Sequence, residues 1–191
     1  RNVVLTLLTA RGGANDKKRL YAHYVSATNM TDQAHALSLL AQSGSPLAHK
    51  ALAHFYDTWH GDDVVIDHWF QAQAHANLPS ALDTVKALVH HPLFNLTTPN
   101  KVRAVVGAFA TSNPVQFHRA DGAGYEFVAD QVLAIDRFNP QVAARLLSSF
   151  KSWRTLEPGR RDMARMVLMH VARHPLLSRD VHEIVSKMWE R

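Results

Sequence analysis

Hydrophobic residues return every three or four positions along almost the whole chain, a spacing that predicts helix rather than strand. Leu20, Tyr24 and Ala27 share one face, and Ala36, Leu37, Leu40 and Ala41 share another. Asp32 caps that second helix or lies in its first turn, and Gly44 ends it. Ser45-Pro46 has the form of an N-cap followed by proline at the first helical position. The helix it opens carries Leu47, Ala51, Leu52, Phe55 and Tyr56 and stops near Trp59 to Gly61. Asp62 or Asp63 starts the next, with Val65, Ile66, Trp69, Phe70 and Gln73 on its face. Asn77-Leu78-Pro79-Ser80 is a break, after which Leu82, Val85, Leu88 and Val89 run up to Pro92.

The second half keeps the same period. Thr98-Pro99 opens a helix bearing Val102, Val105, Val106 and Phe109. Ser112 to Ala123 is the least regular stretch, and a helix from about Tyr125 carries Val128, Val132, Leu133 and Ile135. Asn139-Pro140 caps the next, with Val142, Arg145, Leu146 and Phe150. Glu157-Pro158-Gly159 reads as a turn, Met163, Met166, Val167, His170 and Val171 as the face of the penultimate helix, and Ser178 as the cap of the last. Val181, Ile184, Val185 and Met188 share that last face. No stretch alternates with period two, so the expected fold is all-α. Helix pairs of roughly 35 to 45 residues fit antiparallel stacking in a HEAT/armadillo-like superhelical domain, with a globular bundle as the alternative. The whole of 1–191 is expected to form a single helical domain.

Composition narrows the chemistry. The 191 residues contain no cysteine, which excludes a disulfide scaffold, a thiolate metal site and cysteine catalysis. It also fits a reducing compartment, and the expected location is cytoplasmic. No apolar run approaches the length of a membrane span. The net charge of +5 is uneven: residues 31–96 carry −4 and residues 141–191 carry +5. Such asymmetry steers acidic partners. The basic runs are too short, and too poor in interleaved aromatics, for base stacking, so nucleic acid is not an expected partner.

Thirteen histidines invite a metal test. His182-Glu183 is half of a His-Glu-x-x-His site, but the second histidine is missing, so one helical turn cannot present two imidazoles to one ion. No Gly-x-Ser-x-Gly elbow occurs. Gly122-Ala123-Gly124 lacks the preceding strand of a dinucleotide site. It reads either as an N–H nest for an anion or as a tight turn with Asp121 capping the following helix. Trp69 and Trp153 sit in apolar faces, whereas Trp59 and Trp189 lie near helix ends, where they can meet a partner. Composition and spacing thus give a helical domain with no active site of its own.

Several short motifs add to this. They are Asn29-Met30-Thr31-Asp32; the run from Thr98-Pro99-Asn100-Lys101-Val102-Arg103 to Ala110; Asn113-Pro114-Val115-Gln116-Phe117-His118; Asp121-Gly122-Ala123-Gly124-Tyr125; Asn139-Pro140-Gln141-Val142-Ala143-Ala144-Arg145-Leu146; and Leu177-Ser178-Arg179-Asp180-Val181. Together they resemble the C-terminal helical domain of the bacterial alanyl aminopeptidase N group of M1 zinc aminopeptidases, over essentially the whole chain. The resemblance implies a non-catalytic piece of a larger zinc metallo-aminopeptidase, which would also explain a sequence opening at Arg1. The parent would hydrolyse N-terminal residues from short peptides. Its zinc would lie in another domain, and this fragment would hold no cofactor. The helical domain would cap the catalytic chamber and control substrate access, with the remaining domains and short peptides as partners. By the same resemblance Arg103, Gln141 and Arg145 would line the substrate channel, with His118 and Asp121 beside them. Gln141 and Arg145, four apart, share a helix face. The alternatives are structural ion pairs from the two arginines to Asp121, Asp130 or Asp136, and, for the chain as a whole, a stand-alone helical-repeat scaffold for protein interactions.

Overall fold

A computed structural model describes residues 2–190. Arg1, on which the reading of an excised start rests, and Arg191 lie outside the described residues. The described chain is helical from end to end, with no strand. It divides into two compact units, residues 1–88 and 89–191.

In the first unit, α1 (Asn2–Leu8), α2 (Ala14–Ser26), α3 (Met30–Ala41), α4 (Pro46–Trp59), α5 (Ile66–Ala74) and α6 (Ala81–Leu88) follow one another through short loops. The caps explain the boundaries. Asn29 Oδ1 accepts from Asp32 N–H at 2.9 Å, which puts Asp32 in the first turn of α3 rather than at its cap. Ser45 Oγ accepts from Ala48 N–H at 3.3 Å ahead of Pro46. Asp62 Oδ1 accepts from the amides of Val64 and Val65 at 2.9 Å and turns the chain into α5. Helix α3 packs against α2, α4 and α5. It is apolar enough for this central position because Ala36, Leu37, Leu40 and Ala41 are all buried, against Leu20, Tyr24, Ala51, Phe55 and Ala72. Each fully buried leucine or phenylalanine contributes about 1.5–3 kcal/mol.

The second unit holds α7 (Pro99–Val102), a π-helical segment (Arg103–Gly107), α8 (Ala108–Ser112), α9 (Pro114–Phe117), α10 (Ala123–Asp136), α11 (Pro140–Leu147), two 3₁₀ turns (Ser148–Phe150 and Trp153–Thr155), α12 (Pro158–Ala172) and α13 (Arg179–Glu190). Helix α10 packs on α11 and α12, and α11 on α13. The core is aromatic: Phe109, Phe117, Tyr125, Phe127 and Phe150 are buried, and their rings meet edge to face or tilted. Asn139 Oδ1 accepts from Val142 N–H at 3.1 Å and Ser178 Oγ from Val181 N–H at 3.2 Å, as their places in the sequence predict.

Four local features differ from the expectation. Asn113-Pro114 repeats the cap of Asn139-Pro140, with Asn113 Oδ1 accepting from Gln116 N–H, so the irregular stretch contains α9. Glu157 is not a simple turn residue: its carboxylate accepts from the amides of Gly159 and Arg160, both at 2.8 Å, and it caps α12. On α12 Val171 is buried as expected, but its buried partners are Ala164 and Leu168 rather than the methionines: Met163 and Val167 are half-buried, and Met166 and His170 are exposed. The helix begun at Pro99 widens at Arg103–Gly107, where Ala108 N–H reaches Arg103 C=O, five residues back. One extra residue per turn there rotates everything that follows, a change that a period of 3.6 cannot show.

Candidate functional site

The expected channel residues all lie in the second unit. His118 and Asp121 sit at the corner between α9 and α10, and glycine chemistry shapes that corner. Gly122 has φ 75°, the left-handed region that turns the chain into α10. Gly124 lets α10 approach α9 so closely that a Cβ there would stand 2.4 Å from Phe117 O and 2.5 Å from Gln116 O. Ala123 N–H donates to Asp121 Oδ1 at 3.2 Å, the tight-turn cap weighed above for Asp121.

A polar cluster covers the corner. His118 Nδ1 and Tyr125 Oη lie 2.9 Å apart. Arg160 Nε donates to His118 C=O at 2.6 Å, tying the start of α12 to the corner, and Arg160 Nη1 also reaches Glu157 Oε1 at 3.2 Å. Arg119 donates to the Asp121 carboxylate from Nε (3.1 and 3.2 Å) and from Nη2 (2.7 Å), and to Gln116 Oε1 from Nη1 (3.2 Å). The chemistry of the corner follows from these contacts. Hydrogen bonding from Arg119 holds the Asp121 carboxyl below its usual range, so it is a settled anion. Burial, reinforced by the Arg160 charge, pushes His118 down and favours neutral imidazole. Burial raises the Tyr125 phenol to about 12, so it stays protonated. Asp121 was expected from the sequence; Arg119, Tyr125, Glu157 and Arg160 were not. Arg119 carried a local signal, standing two residues from Asp121. Arg160 lies 42 residues from the carbonyl it holds, a separation that helical periodicity does not address.

Arg103, Gln141 and Arg145 are exposed. Arg103 opens the π-helical segment, and its Nη1 donates to Asn100 Oδ1 at 3.1 Å. Gln141 and Arg145 stand one turn apart on α11. The segment and the helix are neighbours, since a Cβ on Gly107 would lie 3.8 Å from Arg103 Cβ and 3.9 Å from Leu146 Cδ2. The ion pairs weighed for the two arginines do not form among the described residues: Arg119 holds Asp121, and Asp136 Oδ2 accepts from Ser178 N–H at 2.8 Å. Both guanidiniums therefore face outward from adjoining elements, available to a carboxylate. Among the described residues no three His, Asp or Glu side chains come together to hold a metal ion.

A pH dependence follows from the cluster. For a histidine depressed in the folded state, the unfolded chain binds the proton more readily. The stability tied to neutral His118 is complete above the unfolded value near 6.5 and is lost as pH falls from there toward the lower folded value. His75 and His91, lowered by burial, act in the same direction. The melting temperature should fall from pH 7 to pH 5, and less steeply in His118→Asn. Parallel slopes for the two proteins would show that His118 is not coupled to folding.

Comparison with known proteins places these residues in a wider frame. Residues 1–190 match the family model described as a domain of unknown function (DUF3458_C), ARM repeats. The chain is 41% identical over 187 residues to aminopeptidase N of Caulobacter vibrioides, covering 98% of the chain and 22% of that protein. It is 34% identical to aminopeptidase N of Haemophilus influenzae (98% and 21%) and 35% identical to that of Escherichia coli (84% and 18%). The crystal structure of Legionella pneumophila aminopeptidase A in complex with aspartic acid superposes with a TM-score of 0.89 at 33% identity, over 99% of this chain and 22% of that one. The chain thus spans about a fifth of the length of the relatives it matches.

Proposed function

The chain belongs to the DUF3458_C ARM-repeat family, the C-terminal helical region of bacterial M1 aminopeptidases, and from that premise we propose that it works as the non-catalytic, access-controlling domain of such an enzyme. The observation that carries this reading is the near-complete match of the chain to one fifth of each relative. In the intact enzyme, zinc held by another domain would polarise the peptide carbonyl and activate water. No step of hydrolysis falls to residues of this chain. Arg103, Gln141 and Arg145 would present two guanidiniums and an amide to the carboxylate end of a short peptide, and the corner of His118 and Asp121 would fix the shape of the passage beside them. The outward-facing arginines support that role.

The test is charge reversal in the full-length enzyme that carries this domain. Arg145→Glu should raise KM for a tripeptide about tenfold while kcat changes less than twofold, the pattern of lost ground-state binding. An alanyl amide, which has no carboxylate end, should be turned over as before. Unchanged tripeptide kinetics would remove Arg145 from the channel. Turnover of that amide by the 191-residue chain alone, with stoichiometric zinc, would overturn the non-catalytic reading.

A further inference from the structure

A second feature of the second unit is independent of the channel. Trp153, Arg154, Arg161, Asp162, Arg165 and Trp189 line a groove of about 520 Å³ beside α12 and the end of α13. Its floor is aromatic: Trp153 is buried, and the half-buried Trp189 meets it edge to face at 5.4 Å. Arg154 lies over the Trp153 ring at 4.8 Å and donates to the carbonyls of Met188 (3.0 Å) and Trp189 (2.7 Å), which locks the floor to the last turn of α13. Its guanidinium is therefore fixed and oriented before any ligand arrives.

The rim is where the electrostatics fail to balance. Arg161 and Arg165 stand one turn apart on α12, and like charges at that spacing repel. Among the described residues Asp162 is the one carboxylate in the lining, and it is mostly solvent-exposed, 3.8 Å from Arg161 Nε. Arg165 meets no carboxylate among the described residues. With Arg154 engaged by the α13 carbonyls, the two rim guanidiniums, Arg161 and Arg165, stand beside one aromatic floor in a segment with net charge +5 and have little carboxylate to balance them among the described residues. The fork of arginine matches the two oxygens of a carboxylate. The confined rim, with a carboxylate of its own, suits separate single charges better than a continuous phosphate backbone, which would need a basic stripe.

We propose that this groove is a docking site for an acidic polypeptide segment, with one side-chain carboxylate taken by Arg161 and Arg165 and the segment's aliphatic stems lying on Trp189. The tryptophans report occupancy directly. Titrating the 191-residue chain with an end-blocked hexaglutamate peptide should shift its tryptophan emission saturably, and 0.5 M salt should weaken binding. Arg161→Gln combined with Arg165→Gln should lower the affinity at least tenfold. Lys17→Gln combined with Lys18→Gln, which removes the same charge from the first unit, should change it less than twofold. Both double variants alter partly or fully exposed side chains, and circular dichroism checks that each is folded. Equal losses in the two double variants would reduce the effect to net charge and overturn the site. So would tighter binding of a single-stranded oligonucleotide of equal charge, displacement of the peptide by equimolar inorganic phosphate, or absence of saturable binding.

Discussion

Gly124→Ala is expected to destabilise the chain by about 3 kcal/mol, lowering the melting temperature by roughly 6–12 °C. The cause is space rather than backbone conformation, since Gly124 does not have the positive φ of Gly122. A methyl group would sit 2.4 Å from Phe117 O, 2.5 Å from Gln116 O and 3.0 Å from Phe117 C. All three are backbone atoms, so no side chain can rotate away, and α10 must lift from α9. That lift would also pull Tyr125, the next residue, from His118, and would draw the corner away from Arg160. Gly61→Ala is the control: nothing lies within 4 Å of its added carbon, and the same loss of backbone freedom in the unfolded chain should leave stability equal or slightly higher. Thermal melts of the two variants beside the parent decide the matter. A Gly124→Ala protein melting within 2 °C of the parent would show that α9 and α10 do not meet as described.

The helices themselves were legible because their signals are local. Ser45-Pro46, Asn139-Pro140 and Ser178 each place a side-chain acceptor where free amides need one, and each helix starts there. Asn113-Pro114 carries the same signal, but the helix it opens, Pro114–Phe117, is one turn long, too short to show a helical period. The departure on α12 has a different origin. Met163, Met166 and Val167 keep helical spacing and look like a core face, yet the smaller Ala164 is the one that fits against the neighbouring helices. Apolar character is a property of sequence, whereas which apolar stripe is buried depends on the partner helix. The site divides in the same way. Asp121 as a capping residue could be read from a five-residue window. The meeting of His118 with Arg160, and of Trp153 with Trp189, depends on chain returning after 42 and 36 residues, where no local period operates.

Phe117→Ala is expected to have the largest effect of any single substitution considered, about 4 kcal/mol. Its ring is 1% exposed. It stands edge to face with Tyr125 at 5.2 Å and 90°, Phe150 at 5.2 Å and 77°, and Phe109 at 6.5 Å and 86°, so three elements lose their common contact at once. Surrounding helices cannot close the void cheaply, because α9 is already at the distance that Gly124 sets. Phe117→Leu separates the two parts of the loss. It keeps most of the buried volume but removes the aromatic edge contacts, worth about 0.5–1.5 kcal/mol each, and should destabilise by roughly half as much as alanine. Denaturant titrations followed through tryptophan emission give both values, since Trp153 packs in the same unit. The functional consequence is separable from stability. The His118 ring rests 4.7 Å from that of Phe117, so in the alanine variant the histidine loses its support and its burial. Its titration, followed by proton resonance of the ring, should move up toward the ordinary value near 6.5. A His118 that titrates unchanged in a folded Phe117→Ala protein would mean that Tyr125 and Arg160 alone hold the corner, and that the aromatic core contributes to stability without positioning His118.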